Sequence, residues 1–170
     1  NNIEVIYETF PLEQANEALK KLNNPNINLT ITGRGYVDDL LLKEYSFLRN
    51  IKIYNNITKF ELRDLLSGSD LFVFPSLIEG FGHVILEAMS CGLPVICTPN
   101  TAGKDLFITE NEGFIVPIRD IDALVNKIEW SYSNRKFLKE MGEQAHETSK
   151  LFTWEKFREG VIDFYEKAHE

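Results

Sequence analysis

The chain has 170 residues, 44% hydrophobic and 26% charged, with a net charge of -8 and a pI near 5.0. That is room for one domain with a true core; the acidic balance argues against a nucleic-acid partner, and any phosphate site must be made electropositive locally. No apolar run approaches the roughly 20 residues that span a bilayer, no basic-then-apolar leader opens the chain, and Cys91 and Cys97 are too few for a disulfide scaffold and read as packed thiols in a reducing compartment.

In chain order, Ile3 to Tyr7 reads as a first strand and Leu12 to Leu22 as an amphipathic helix, with Ala15, Ala18, Leu19 and Leu22 at helical spacing. Ile27 to Thr32 is a second strand, closed by the tight turn Gly33-Arg34-Gly35, and Tyr36 to Phe47 a helix. Ile51 to Tyr54 is a third strand. Thr58-Lys59-Phe60-Glu61 has the spacing of a capping box that opens a short helix to Leu66. Leu71 to Phe74 and Val95 to Cys97 are strands four and five, and Gly113 to Val116 a sixth. Asp120 caps a helix to about Tyr132, another runs from about Asn134 to Ser149, and Thr153 caps a last one, Trp154 to Lys167. Short strands alternating with helices predict an α/β, Rossmann-like, parallel six-stranded sheet with helices on both faces. No repeat or linker divides the chain, so residues 1–170 read as a single domain.

The chemistry concentrates between strands four and five. Pro75 to Gly82 is a loop at the carboxyl end of strand four, where such sheets bind ligands. A helix follows, His83 to Ser90, ended by Gly92 and Pro94. Val84, Ile85, Leu86, Ala88 and Met89 predict burial nearly all round, yet Glu87 sits among them. Carboxylates are rarely buried unpaired, so Glu87 faces a polar cavity, a cation or solvent at one rim. Glu79 stands in the loop before the same helix. Gly80 and Gly82 flank Phe81, allowing a sharp turn and close approach of a ligand. The first amides of the helix, lacking partners, make an anion site beside two carboxylates.

The run Pro75-Ser76, Glu79-Gly80-Phe81-Gly82, Leu86-Glu87-Ala88-Met89 and Gly92-Leu93-Pro94-Val95 resembles the donor-site signature of the family-4 retaining glycosyltransferases, two Glu separated by seven residues with Gly-Phe-Gly after the first. Ile31 to Gly35, Gly113 to Pro117 and Phe152 to Glu155 resemble further parts of that family, so the likeness extends from about Ile27 to Tyr165. It implies the carboxyl-terminal, donor-binding half of a glycosyltransferase-B fold, with the amino-terminal acceptor domain absent and the last helix reaching toward it. It implies a hexose or N-acetylhexosamine moved from a nucleotide sugar, UDP-linked by the family's common usage, to a sugar hydroxyl. The acceptor would be a glycan or lipid-linked glycan of bacterial surface polysaccharide or lipopolysaccharide, the location cytoplasmic or peripheral at the cytoplasmic membrane face, and no metal or cofactor is expected.

Residue by residue, the resemblance implies that Glu87 binds the ribose hydroxyls and that Glu79, the catalytic candidate, positions the donor sugar and stabilises charge. It implies that Gly80, Phe81 and Gly82 present amides to sugar and diphosphate. His83 either touches the sugar or is a surface residue. Arg34, beside Gly33, either stacks on the base or touches a phosphate, or is a solvated turn residue. Tyr54 ends strand three near the base, and Lys104 either adds positive charge at the diphosphate or lies on the surface. One departure stands out. Where the family carries an Arg and a Lys gripping the diphosphate, this chain offers Glu8 and Glu13 if Pro11 marks the register. Either the register differs, or residues are missing from this loop, or Arg34, Lys104 and the helix amides substitute for them and donor binding is weak. Two alternatives remain open: a nucleotide-sugar epimerase of the same architecture, and a non-catalytic nucleotide-sugar-binding domain.

Overall fold

The structure is a computed structural model that describes residues 3–8, 18, 21–22, 24–33, 50–109 and 111–169. Six strands, β1 (Ile3–Glu8), β2 (Ile27–Gly33), β3 (Ile51–Asn55), β4 (Leu71–Phe74), β5 (Val95–Cys97) and β6 (Gly113–Ile115), form one sheet in the order β3-β2-β1-β4-β5-β6. Every pairing is parallel, with Gly33 opposite Asn55, Glu8 opposite Thr32, Tyr7 opposite Val73 and Phe74 opposite Cys97. The expected Rossmann-like architecture is present. All strands point the same way, so their carboxyl ends share one edge of the sheet.

The described helices are α1 (Lys59–Ser67), α2 (His83–Ser90), the one-turn α3 (Gly103–Leu106), α4 (Ile121–Ser133), α5 (Arg135–Ser149) and α6 (Trp154–Lys167). The expected helix over Tyr36 to Phe47 lies outside the described residues, as does most of that over Leu12 to Leu22, of which Ala18 and Lys21 are helical. The capping box of α1 forms as its spacing predicts. Thr58 Oγ1 accepts from the Glu61 amide at 3.3 Å, and Glu61 returns a carboxylate to the Thr58 amide at 2.7 Å. That hydrogen bond from the Thr58 amide, with a second from its hydroxyl, holds the Glu61 carboxyl below its ordinary range. Asp120 and Thr153 cap α4 and α6 by their side chains alone, accepting from the Ala123 and Lys156 amides. The four-residue α3 is too short to carry a periodic pattern in the sequence.

Strand alternation sorts the core into two layers. Leu71, Val73 and Ile96 face one side, where they pack with Val5, Leu29 and Ile31 and with Leu124, Val125 and Ile128 of α4. Phe72, Phe74, Val95 and Cys97 face the other, against Leu66 of α1, Ile85, Ala88 and Met89 of α2, and Leu106 of α3. Both faces of the central strands are buried, which is why they read as unbroken apolar runs. A Cβ on Gly142 would stand 2.3 Å from the Gly92 carbonyl oxygen, so α5 lies directly on the turn that ends α2. The last helix differs from all of these, since α6 buries none of its residues.

Candidate functional site

The Pro75–Gly82 loop leaves β4 at the carboxyl edge and is held from one flank by the segment after β5. Thr98 Oγ1 donates to the Ser76 carbonyl, Asn100 Nδ2 to the Leu77 carbonyl at 2.9 Å, and the Ala102 amide to the Phe81 carbonyl at 3.1 Å. The Glu79 amide donates to the Asn100 carbonyl at 3.2 Å, and Ser76 Oγ closes a local turn on the Ile78 carbonyl at 3.1 Å. The chain then enters α2 through Gly82, whose φ of +75° is left-handed. No side chain caps this helix; the Ile85 amide bends back to the Gly82 carbonyl at 2.9 Å. The first amides of α2 therefore have no side-chain cap, as the sequence leads one to expect.

Glu79 and Glu87 are both exposed, and so are Gly80, Phe81 and His83. The expectation of a helix buried nearly all round is corrected here. His83, Glu87 and Ser90 form an exposed stripe at helical spacing, while Val84 and Leu86 are only half-buried. Of the three surroundings foreseen for Glu87, the structure shows solvent. The Glu79 side chain curls over its own loop: Oε1 accepts from the Gly80 amide at 3.0 Å. Its Cγ lies 3.1 Å from where a Cβ on Gly82 would stand. One amide of the expected anion cradle is thus occupied by the neighbouring carboxylate. Phe81 and His83 are in ring contact, 5.0 Å between centroids, and His83 in turn lies nearly parallel to Trp154 of α6 at 6.5 Å.

Of the other predicted site residues, Gly33, Tyr54 and Lys104 sit along the same edge. Gly33 ends β2 and Tyr54, 37% exposed, is the penultimate residue of β3. Lys104 is exposed on α3. Arg34 and Glu13 lie outside the described residues, and Glu8 is described by its backbone only, as the end of β1. An open cavity of about 890 Å³ lies elsewhere, between the end of α2 and α5, and none of the predicted site residues lines it. Among the described residues no group of three or more His, Cys, Asp or Glu could hold a metal ion. None has a helix long and apolar enough to cross a membrane.

Three features escape sequence reasoning. Glu112, just before β6, is fully buried and accepts from the Ile108, Thr109 and Asn111 amides and, at 2.8 Å, from Thr148 Oγ1 of α5. Burial pushes its carboxyl up, but hydrogen bonds from Thr109, Thr148 and its own backbone together outweigh burial and leave it below the ordinary range. Asp70 joins three segments: it accepts from the Glu4 amide at 2.7 Å and from Arg135 at 2.8 Å. Trp154 meets His83 across a sequence distance that no local pattern reveals. Thr148, Arg135 and His83, the partners that tie these residues to other elements, are remote along the chain, so nothing in the neighbouring residues marks them. The two cysteines are free; Cys97 is fully buried, and burial pushes its thiol up to about 11.

The family described as glycosyl transferases group 1 matches residues 7–148. O-antigen chain mannosyltransferase B of Escherichia coli is 30% identical over 158 residues, covering 91% of this chain and 41% of that protein. Among solved structures, sucrose-phosphate synthase from Thermosynechococcus elongatus superposes with a TM-score of 0.84 at 24% identity, over 99% of this chain and 46% of that one. The Anabaena protein HepE, in complex with UDP and glucose, superposes with a TM-score of 0.83 at 19% identity, over 98% of this chain and 49% of that one. The chain spans less than half the length of each. With the fold and the glycine-loop signature on the same residues, the chain belongs to the group 1 glycosyl transferases and has the architecture of a glycosyltransferase-B carboxyl-terminal domain.

Proposed function

We propose that this chain is the donor-binding domain of a retaining glycosyltransferase of family 4. It takes a hexose or N-acetylhexosamine from a UDP-sugar and passes it to a sugar hydroxyl during assembly of a bacterial surface polysaccharide. The observation that carries the reading is the placement of Glu79 and Glu87. Both are exposed, Glu79 in the loop before the uncapped start of α2 and Glu87 in the second turn of that helix, which follows the carboxyl end of β4. The Escherichia coli relative, named for O-antigen chain mannosylation, supports the pathway class, and the UDP and glucose named with the Anabaena structure support the ligand class.

In this reading the Glu87 carboxylate accepts two hydrogen bonds from the vicinal ribose hydroxyls. Charge-assisted bonds contribute about 1.5–3 kcal/mol each. The amides of Gly80, Phe81 and Gly82 and the first turn of α2 face the diphosphate and sugar hydroxyls, with His83 at the sugar. Glu79 stands beside the anomeric carbon and stabilises the positive charge that builds there as the nucleotide leaves. Gly33 and Tyr54 border the base, and Arg34 and Lys104 supply the positive charge that a net charge of -8 denies elsewhere. Donor binding exchanges the Glu79–Gly80 hydrogen bond for contacts with the ligand. A second domain supplies the glycan acceptor and any hold on the cytoplasmic face of a membrane, and covers the exposed apolar side of α6.

The test is to incubate the complete protein with a panel of nucleotide sugars and sugar-terminated acceptors, and to determine the anomeric configuration of the product by NMR. Transfer with the donor's configuration kept is the expected result. An inverted product contradicts the reading, and C2 inversion of the donor with no acceptor present would establish an epimerase instead.

A further inference from the structure

The Pro75–Gly82 loop has two flanks with unequal support. Toward β5 it is fixed by four hydrogen bonds, those of Thr98, Asn100 and Ala102 and that of the Glu79 amide. Toward solvent it is bordered by rings. Phe81, 39% exposed, contacts His83 with planes tilted by 54°, and His83 lies against Trp154 with planes 19° apart. Gly80 has nothing within 4 Å of where a Cβ would be, and Gly82 holds a left-handed φ. The Ala102 amide holds the Phe81 carbonyl at 3.1 Å, so the backbone is tied toward β5, while on the solvent side the Phe81 ring has His83 as its ring neighbour.

Trp154 is well placed to back the His83 ring. It is the first residue of α6 and 73% exposed, so it adds little to the core. Its position is nevertheless fixed from behind. Phe152 packs into the core layer that contains Ile85 and Phe74, and Thr153 caps the helix through the Lys156 amide at 3.3 Å. Phe157 stands edge-on to the indole at 5.9 Å. The indole thus forms a braced wall whose inner neighbour is the His83 ring.

We propose that Trp154 is a positioning residue of the donor site: by bracing His83 against Phe81 it fixes the glycine loop for the nucleotide sugar. This rests on the donor-site reading above. Aromatic pairs of this kind carry enough energy to change what they hold by about two- to tenfold. The last helix, which buries nothing, acts on binding through its first turn.

The chain has two tryptophans, Trp130 and Trp154, so Trp130→Phe leaves Trp154 as the sole indole. Titrating that variant with UDP-glucose and with GDP-mannose should change Trp154 emission at the same Kd that calorimetry gives. Trp154→Ala should weaken binding about three- to tenfold with its melting temperature near wild type, and Trp154→Phe should restore most of it. His83→Ala should lose at least as much as Trp154→Ala, because it removes the group at the sugar together with its brace, and the double variant should bind no more weakly than His83→Ala alone. Wild-type affinity in Trp154→Ala, losses that add, or a Trp154 emission that ignores a ligand binding by calorimetry would overturn the brace and leave the donor site standing. Should Trp154→Ala not fold, Trp154→Leu, which keeps bulk without a ring, and the emission titration decide. Failure of the unmodified chain to bind any nucleotide sugar would overturn both.

Discussion

The stem of Glu79 lies across Gly82, its Cγ 3.1 Å from where a Cβ on that glycine would be. The Phe74 ring crowds the same position at 3.2 Å, and the glycine holds a φ of +75°. Gly82→Ala therefore meets backbone strain and contact from both sides. It should lower stability by about 1–2 kcal/mol and displace Glu79 from the loop. Denaturant unfolding measures the first effect and nucleotide-sugar titration the second. A variant with unchanged stability and affinity would show that the loop adapts freely at this point.

The buried carboxylate of Glu112 ties the segment before β6 to α5. Its folded pKa lies below the ordinary value of 4.5. A group depressed on folding adds stability above its unfolded pKa, and that stability is lost as pH falls through the folded value. Acid should therefore erode stability below about pH 4.5. Thr148→Val removes one donor to this carboxylate, costs about 1.5–3 kcal/mol near neutrality and moves the acid loss to higher pH. Urea unfolding across pH 3 to 7 for both proteins gives the comparison; coincident curves would remove Glu112 from the account.

The two thiols should behave differently. Cys97 is fully buried with its pKa raised to about 11, while Cys91 is half-buried at the end of α2. The thiolate is the reactive form. A thiol reagent at neutral pH should modify Cys91 in the folded protein and reach Cys97 only after unfolding. Mass spectrometry of labelled peptides separates the two, and fast native labelling of Cys97 would contradict its placement.

Gly142 sits where α5 crosses the turn after α2. A Cβ there would stand 2.3 Å from the Gly92 carbonyl and 3.3 Å from Pro94. Backbone cannot yield as a flexible side chain does, so Gly142→Ala should cost about 1–3 kcal/mol. This position is far from the glycine loop, so affinity for a nucleotide sugar should change much less than stability. Thermal unfolding and titration on the same sample make that distinction.

The strands and caps were legible because each depends on neighbours in sequence. Leu71–Phe74 reads as an apolar run because both its faces are covered, and Thr58 and Glu61 announce their box three residues apart. The place of the glycine loop at the carboxyl edge was legible because it follows from the strands on either side of it. The exposed stripe of α2 was not, since only packing decides which side of an apolar helix stays uncovered. Glu112, Asp70 and Trp154 were missed for a related reason. Their partners Thr148, Arg135 and His83 are 36, 65 and 71 positions away (154 − 83 for the last pair), and an isolated acid or indole looks the same with or without them. Arg34, proposed above as a source of positive charge, lies outside the described residues.

The most direct measurement is calorimetric titration of wild type and Glu87→Gln with UDP, UDP-glucose and GDP-mannose. The exposed position of Glu87 makes the substitution harmless to folding, so a change in affinity reports the ligand contact alone. Binding by wild type and a loss of at least about tenfold in the variant, as expected when a charged acceptor becomes neutral, are predicted. Equal affinity in the two proteins would contradict the assignment of Glu87 to the nucleotide sugar.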